Sequence, residues 1–351
     1  MISQWLKVFS DSNTEVRSRL FSIYGLLIAL NVGAWLWAVV VFRNHPVLLG
    51  TALLAYGFGL RHAVDADHIA AIDNVTRKLM QEKKRPVSVG FFFSLGHSSV
   101  VVLASVAVAV TASAMESRFG HYREIGGIVG TLVSALFLFA IALMNLIILR
   151  SIYRAWRHVR SEGKYVEDDF DMLLADRGFL SRLFRPLFRL ITRSWHMYPL
   201  GFLFGLGFDT ATEIALLGIA ATQASHGLSP WAIMVFPVLF SAGMSLVDTL
   251  DGHMMLGAYG WAYLKPIRKI YYNMTITMVS VIVAVVIGGI EALGLLADQL
   301  KLQGPSWDAI GALNDHFGTL GYVIIGIFAL SWLASVLIYR VKRFDELEVN
   351  R

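Results

Sequence analysis

The sequence contains no cysteine. That absence excludes thiolate metal sites, disulfides and thiol catalysis together. Charge is also scarce: Asp, Glu, Lys and Arg make up 16% of the 351 residues, 56% are hydrophobic, and the mean hydropathy is +0.61. This balance excludes an ordinary soluble enzyme. Several apolar runs approach the roughly 20 residues needed to cross a bilayer, which marks a polytopic all-α membrane protein. Two signatures are missing as well. There is no G-x-x-x-x-G-K-[ST], so the chain carries no P-loop with which to burn ATP, and no H-E-x-x-H of a metallohydrolase. The segment Met1–Leu20 is polar and amphipathic and lacks a small-residue cleavage site, so no cleaved signal peptide is expected. The net charge of +5 does not point to nucleic acid, because the basic residues sit in short segments beside the apolar runs.

Hydropathy predicts a single transmembrane domain over 1–351 with eight spans, at 21–42, 47–75, 87–114, 125–149, 198–223, 230–256, 272–297 and 319–340. Spans one to four thus fill 21–149 and spans five to eight fill 198–340. Of the 30 lysines and arginines, 25 fall on one side of this arrangement, four on the other, and Arg61 lies inside span two. By the positive-inside rule the 1–20 and 341–351 termini and the 150–197 connection are cytoplasmic, in a bacterial inner membrane. That connection mixes arginines with Glu167, Asp168, Asp169 and Asp171. It reads as a solvated connector or as amphipathic helices on the membrane surface. The stretch 298–318 reads as a polar loop.

An internal repeat is visible. Phe58-Gly59-Leu60 precedes a charged motif, and Phe204-Gly205-Leu206 precedes another. Phe93-Ser94-Leu95-Gly96 is matched, at nearly the same offset, by Phe240-Ser241-Ala242-Gly243. Spans two and five run in opposite directions, as do three and six. The expectation is an inverted-topology repeat of three-helix units, with a substrate site near the midplane and the last two spans appended.

Four polar constellations interrupt the spans. Span two carries Arg61-His62-Ala63-Val64-Asp65-Ala66-Asp67-His68, although each Asp or Arg at a helix centre costs roughly 2.5–3.5 kcal/mol on insertion scales. Imidazole mixed with carboxylate suits a borderline divalent transition metal. On a regular helix of about 100° per residue, Arg61, His62, Asp65 and His68 share a face and Asp67 is turned well off it. Either Asp67 faces another helix or the helix is unwound near Ala66, as at many transporter binding sites. His62, His68 and Asp65 or Asp67 are candidate metal ligands. Arg61 is expected to pair with a carboxylate. The competing reading is a salt-bridged network that only joins helices. Span three adds His97 beside Gly96, as a ligand or as an interhelical hydrogen-bonder. Span five adds Asp209 and Glu213, one turn apart, so close that one should be proton-bound or cation-paired. Span six adds Asp248 and Asp251, with Asp251 and His253 toward the inner interface. Asn31 and Asn145 read as interhelical bonders or minor ligands, and Glu291 reads as interfacial.

Together the span-two motif, Leu95-Gly96-His97-Ser98, Leu206-Gly207-Phe208-Asp209-Thr210-Ala211-Thr212-Glu213 and Gly243-Met244-Ser245-Leu246-Val247-Asp248-Thr249-Leu250-Asp251-Gly252 resemble the nickel/cobalt transporter family (NiCoT), most closely its bacterial high-affinity nickel permeases. The resemblance covers almost the whole chain. It implies an eight-span inner-membrane importer of Ni²⁺, with Co²⁺ as a second candidate substrate, and ties transport to the pattern met here as His62, Asp67 and His68. The expected mechanism is secondary, ATP-independent transport by alternating access around His62, Asp65, Asp67 and His68, with His97, Asp209, Glu213 and Asp248 completing or gating the path. No resident cofactor, enzymatic activity or obligate protein partner is expected; the partners are the metal and the lipid bilayer. The competing readings are an exporter of the same metals, a proton-coupled carrier of an organic solute, and an intramembrane metalloenzyme.

Overall fold

The computed structural model describes residues 14–82, 84–111, most of 128–157, 191–206, 211–262 and 266–341. Among them there are helices and no strand. In chain order the helices are α1 (Thr14–Phe42), α2 (Pro46–His62), α3 (Ala66–Gln81), α4 (Val89–Thr111), α5 (Thr131–Arg154), α6 (Met197–Gly205), α7 (Ala211–Ser225), α8 (Val235–Ala262), α9 (Pro266–Gln299), α10 (Pro305–Asp315) and α11 (Phe317–Val341). Short turns at Ser194–His196 and Pro230–Ile233 lead into α6 and α8.

By length and composition, five described helices suffice to cross a membrane: α1, α4, α5, α8 and α9. Two bent pairs raise the number to seven: α2 with α3, at 49°, and α10 with the start of α11, at 79°. The span expected at 198–223 corresponds to two shorter helices, α6 and α7. The 298–318 stretch is not the loop expected from its polarity. It contains α10, started by Pro305 after Gly304 at φ 119°, a combination of positive-φ glycine and N-terminal proline that sets a helix start. Most of the 150–197 connection lies outside the described residues; its end, however, is pinned to α3 and to the turn that follows it. Lys78 Nζ donates to the Ile191 carbonyl at 2.6 Å, and Lys84 Nζ to the Thr192 carbonyl at 2.8 Å.

Close crossings bring the helices to the site. A Cβ at Gly59 on α2 would collide with the Phe240 carbonyl of α8, and one at Gly243 on α8 would lie 2.9 Å from the Tyr56 carbonyl of α2. At a second crossing, Gly96 on α4 faces the Tyr198 carbonyl, and Gly201 on α6 faces the Phe93 carbonyl. Small residues allow backbones to approach where lipid supplies no hydrophobic force between helices. α4 and α8 also pack on each other, so both crossings share one core.

Helix α3 is the departure from simple hydropathy. It is polar, yet buried almost throughout, enclosed by α4, α8, α9 and α11. Arg77 and Lys78, expected in an inner loop, are 0% and 3% exposed. Their environment is polar: Arg77 Nη2 and Asn145 Nδ2 donate to Asn74 Oδ1 at 2.8 and 2.6 Å, Asn74 Nδ2 donates to the Ala70 carbonyl, and Ser280 Oγ donates to Asp73 Oδ2 at 2.7 Å. Glu291, near the end of its span, is buried within the protein and accepts from Ser134 Oγ at 2.9 Å. Buried polar groups in a membrane need such partners. Asn31 joins helices as expected, donating to the Ala242 carbonyl of α8 and accepting from the Tyr56 hydroxyl of α2.

Candidate metal centre

The break in span two falls between His62 and Ala66. Ala63, Val64 and Asp65 form a tight turn, with Val64 N–H bonded to the Arg61 carbonyl at 3.0 Å and Asp65 N–H to the His62 carbonyl at 2.9 Å. Asp65 occupies the N-cap of α3 with extended backbone angles, φ −66° and ψ 148°, but its side chain makes no capping bond. It turns instead to His62, with Oδ2 at 2.9 Å from Nδ1. An aspartate at an N-cap ordinarily satisfies the helix's own amides. Here that oxygen is diverted to an imidazole. The break also resolves the awkward angle of Asp67, which lies half-buried in the first turn of α3 and is an electrostatic neighbour of His62, His68 and His97.

Three imidazoles converge at this break. The ring centroids of His62 and His68 are 4.7 Å apart, those of His62 and His97 4.8 Å, and those of His68 and His97 4.9 Å. One nitrogen from each lies within 4.8 Å of the other two, and all three residues are buried. His62 Nε2 is 3.0 Å from His97 Nε2, which is 2.9 Å from Glu213 Oε1; the same carboxylate oxygen is 3.8 Å from His62 Nε2. Glu213 belongs to the first turn of α7. The donors therefore come from four helices: α2, α3, α4 and α7.

Behind the imidazoles stand two carboxylates. Asp65 holds His62 Nδ1, and Asp248, on α8, holds His68 Nδ1 at 3.2 Å. A carboxylate at one ring nitrogen accepts its N–H and leaves the other nitrogen with its lone pair, which is how metal-binding histidines are oriented. His68 Nε2 is accordingly buried with no hydrogen bond, as is Asp248 Oδ2. Thr212 Oγ1 adds a contact to His62 Nδ1 at 3.3 Å.

Of the sequence-selected residues, the structure brings together His62, Asp65, His68, His97, Glu213 and Asp248, with Asp67 at the edge. Asp209 lies outside the described residues. Arg61 is exposed, and among the described residues it makes no ion pair within 4.0 Å, so the pairing expected for it is not observed. Asp251 continues the acidic row of α8, and His253, buried, meets the Tyr24 hydroxyl at 3.0 Å. Sequence reasoning used Phe93 and Phe240 only as repeat markers. They are walls of the site: the Phe93 ring is 4.8 Å from that of His68, edge-on, and Phe240 is 5.4 Å from His62. Their equivalent places in the repeat were the available signal.

The family model of the high-affinity nickel-transport protein matches residues 48–338. The chain is 64% identical over 340 residues to the "High-affinity nickel transport protein" of Cupriavidus necator, covering 97% of each. It is 43% identical over 314 residues to the "High-affinity nickel-transport protein NixA" of Helicobacter pylori, covering 89% of this chain and 94% of that one. It is 40% identical over 334 residues to the "Cobalt transport protein NhlF" of Rhodococcus rhodochrous, covering 93% and 94%. No solved structure matches the chain. A match over residues 48–338, well beyond half of the chain and spanning α2 to α11, makes this chain a member of the high-affinity nickel-transport family.

Proposed function

We propose that this protein imports Ni²⁺, with Co²⁺ as a second substrate, through a bacterial inner membrane, and that the ion pauses at the break in span two. The observation that carries this reading is the buried His62–His68–His97 triangle closed by Glu213. In the proposed site, His62 Nε2, His68 Nε2, His97 Nε2 and Glu213 Oε1 face the ion. Asp65 and Asp248 hold the far nitrogens, and Asp67 and Asp209 add charge along the path. Donor atoms about 2.1 Å from one ion and at right angles to each other stand about 3.0 Å apart. The spacings of 3.0 Å between His62 and His97 and 2.9 Å between His97 and Glu213 fit such edges. Imidazole with carboxylate, and no thiolate, matches a borderline dication. Copper binds most tightly in the divalent series, so preference for nickel is assigned to the shape of this cavity rather than to affinity.

The mechanism follows from the break. Eight spans, with α6 and α7 as the fifth, would place both termini in the cytoplasm. The inverted repeat is supported by the helix pairing, α2 on α8 and α6 on α4, but the glycine contacts are one turn out of register: Gly59 lies on the Phe240 carbonyl, whereas its repeat mate Gly205 lies nearest the His97 carbonyl and Gly201, one turn earlier, meets the Phe93 carbonyl. Rocking one half against the other would expose the site to either side in turn. No ATP is required. A dication moving inward across about 100 mV releases about 4.6 kcal/mol, equivalent to roughly two-thousandfold accumulation.

The test is uptake of radioactive nickel at nanomolar concentration in cells expressing the chain, with and without excess cobalt. Uptake abolished in both His62→Ala and His68→Ala is expected. Wild-type uptake in those two variants would dismiss the site. Absence of uptake in the parent, with the protein present in the membrane, would dismiss import in favour of export.

A further inference from the structure

Away from the break, the molecule has a cavity of about 870 Å³ where α1, the α3–α4 turn and the approach to α6 meet. Four basic side chains from three separate stretches of chain line it: Arg19, Lys84, Arg85 and Arg193. Among the described residues, no acidic side chain lines it. Glu82 stands behind Lys84, its carboxylate 2.5 Å from Nζ. Ser88, just before α4, and Phe92 in its first turn line the same space, so the positive end of a 23-residue helix adds to the basic side chains. The floor is apolar, with Leu79 and Val87, and Trp195 stands at the rim, 53% exposed.

We propose that this cavity binds a phosphate-bearing anion, and that its occupant is the headgroup of an anionic phospholipid. Clustered cations with helix-terminal amides recognise phosphate. Soluble phosphate needs only that much. The apolar floor and an exposed tryptophan at the rim fit a ligand with an acyl chain, because indole rings belong at the headgroup level. The charge distribution puts this cavity on the cytoplasmic face, a placement that rests on the topology proposed above. A lipid seated there would join α1, the α3–α4 turn and the chain leading into α6, clasping the two halves of the repeat on that side.

The test is native mass spectrometry of the purified full-length protein titrated with phosphatidylglycerol and, separately, with phosphatidylcholine. Preferential binding of phosphatidylglycerol is expected. Near a membrane surface each basic side chain is worth about fivefold in binding, so Arg85→Gln with Arg193→Gln should weaken it roughly 25-fold. The pair Arg85→Lys with Arg193→Lys should retain most of the binding, and Lys301→Gln, a remote control, all of it. Displacement of the lipid by millimolar inorganic phosphate would name the soluble anion as the occupant. Equal binding of the two lipids, an unweakened Gln pair, or equal loss in the Gln and Lys pairs would overturn the proposal. Binding is measured here without regard to sidedness or to nickel, so failure of the import reading leaves this result standing.

Discussion

The Asp248–His68 contact offers the sharpest test of the site. Both residues are 0% exposed, and Oδ1 lies 3.2 Å from Nδ1. Asp248→Asn keeps the shape and an acceptor oxygen but removes the charge that makes the imidazole a stronger donor. Loss of such an outer partner typically costs 10–100-fold in metal affinity, about 1.4–2.7 kcal/mol. The expected result in nanomolar nickel uptake is a half-saturation raised 10- to 100-fold, with the maximal rate within about twofold of the parent and normal protein in the membrane. Asp248→Ala is a poorer probe, because it also strands a buried N–H, at about 1–3 kcal/mol. The alternative role for Asp248 is direct ligation through Oδ2, which is buried and has no hydrogen bond. In that case Asp248→Asn would abolish transport even at saturating nickel, as His68→Ala should. Either that outcome or an unchanged half-saturation would refute the supporting role argued here.

Other perturbations separate structure from chemistry. Glu213→Gln should lower nickel affinity at least tenfold while leaving protein amounts unchanged, read in the same uptake assay. Gly59→Ala drives a methyl into the Phe240 carbonyl and should destabilise by about 1–3 kcal/mol or more, whereas Gly33→Ala meets nothing within 4 Å and should be silent. A thermal-shift series on purified protein distinguishes the two. Because the chain has no cysteine, single-cysteine labelling reports topology without background. Asp298→Cys should react with an impermeant maleimide from outside intact cells, and Ser88→Cys only after permeabilisation; the reverse pattern would invert the orientation. Ser280→Ala removes a 2.7 Å bond to buried Asp73 and should cost about 1–3 kcal/mol of stability, measured by thermal shift, without changing which metal is carried.

The site was legible in the sequence to a useful degree because polar residues in apolar runs stand out. His62, His68, His97, Glu213 and Asp248 announce themselves this way, and the misfit of Asp67 on a regular helix pointed to the break later seen at Ala63–Asp65. What sequence did not reveal was the division of labour. Nothing in the spacing distinguishes Asp65, which holds a ring from behind, from Glu213, which faces the centre; that depends on which helices α2 and α3 cross. Hydropathy also misplaced Arg77 and Lys78, because it treats polarity as contact with water. Here Ile191 supplies Lys78 with the partner water would have supplied, and Arg77 is held by Asn74 of its own helix, which Asn145 of α5 also bonds. The same averaging hid α10, whose start is encoded locally by Gly304 and Pro305.

The last helices look like an appendage to the proposed repeat, but one contact gives them a different standing. A Cβ at Gly321 on α11 would strike the carbonyl of Val64, the middle residue of the break, and α9 holds the next stretch of α3 through Ser280 and Asp73. The first half of the proposed repeat is therefore bolted to α9 and α11, which lie outside it. A machine built from two mirrored halves would rock evenly. In the rocking mechanism proposed above, α3 anchored in this way would be the stator, and the stroke would fall to the α6–α7 side.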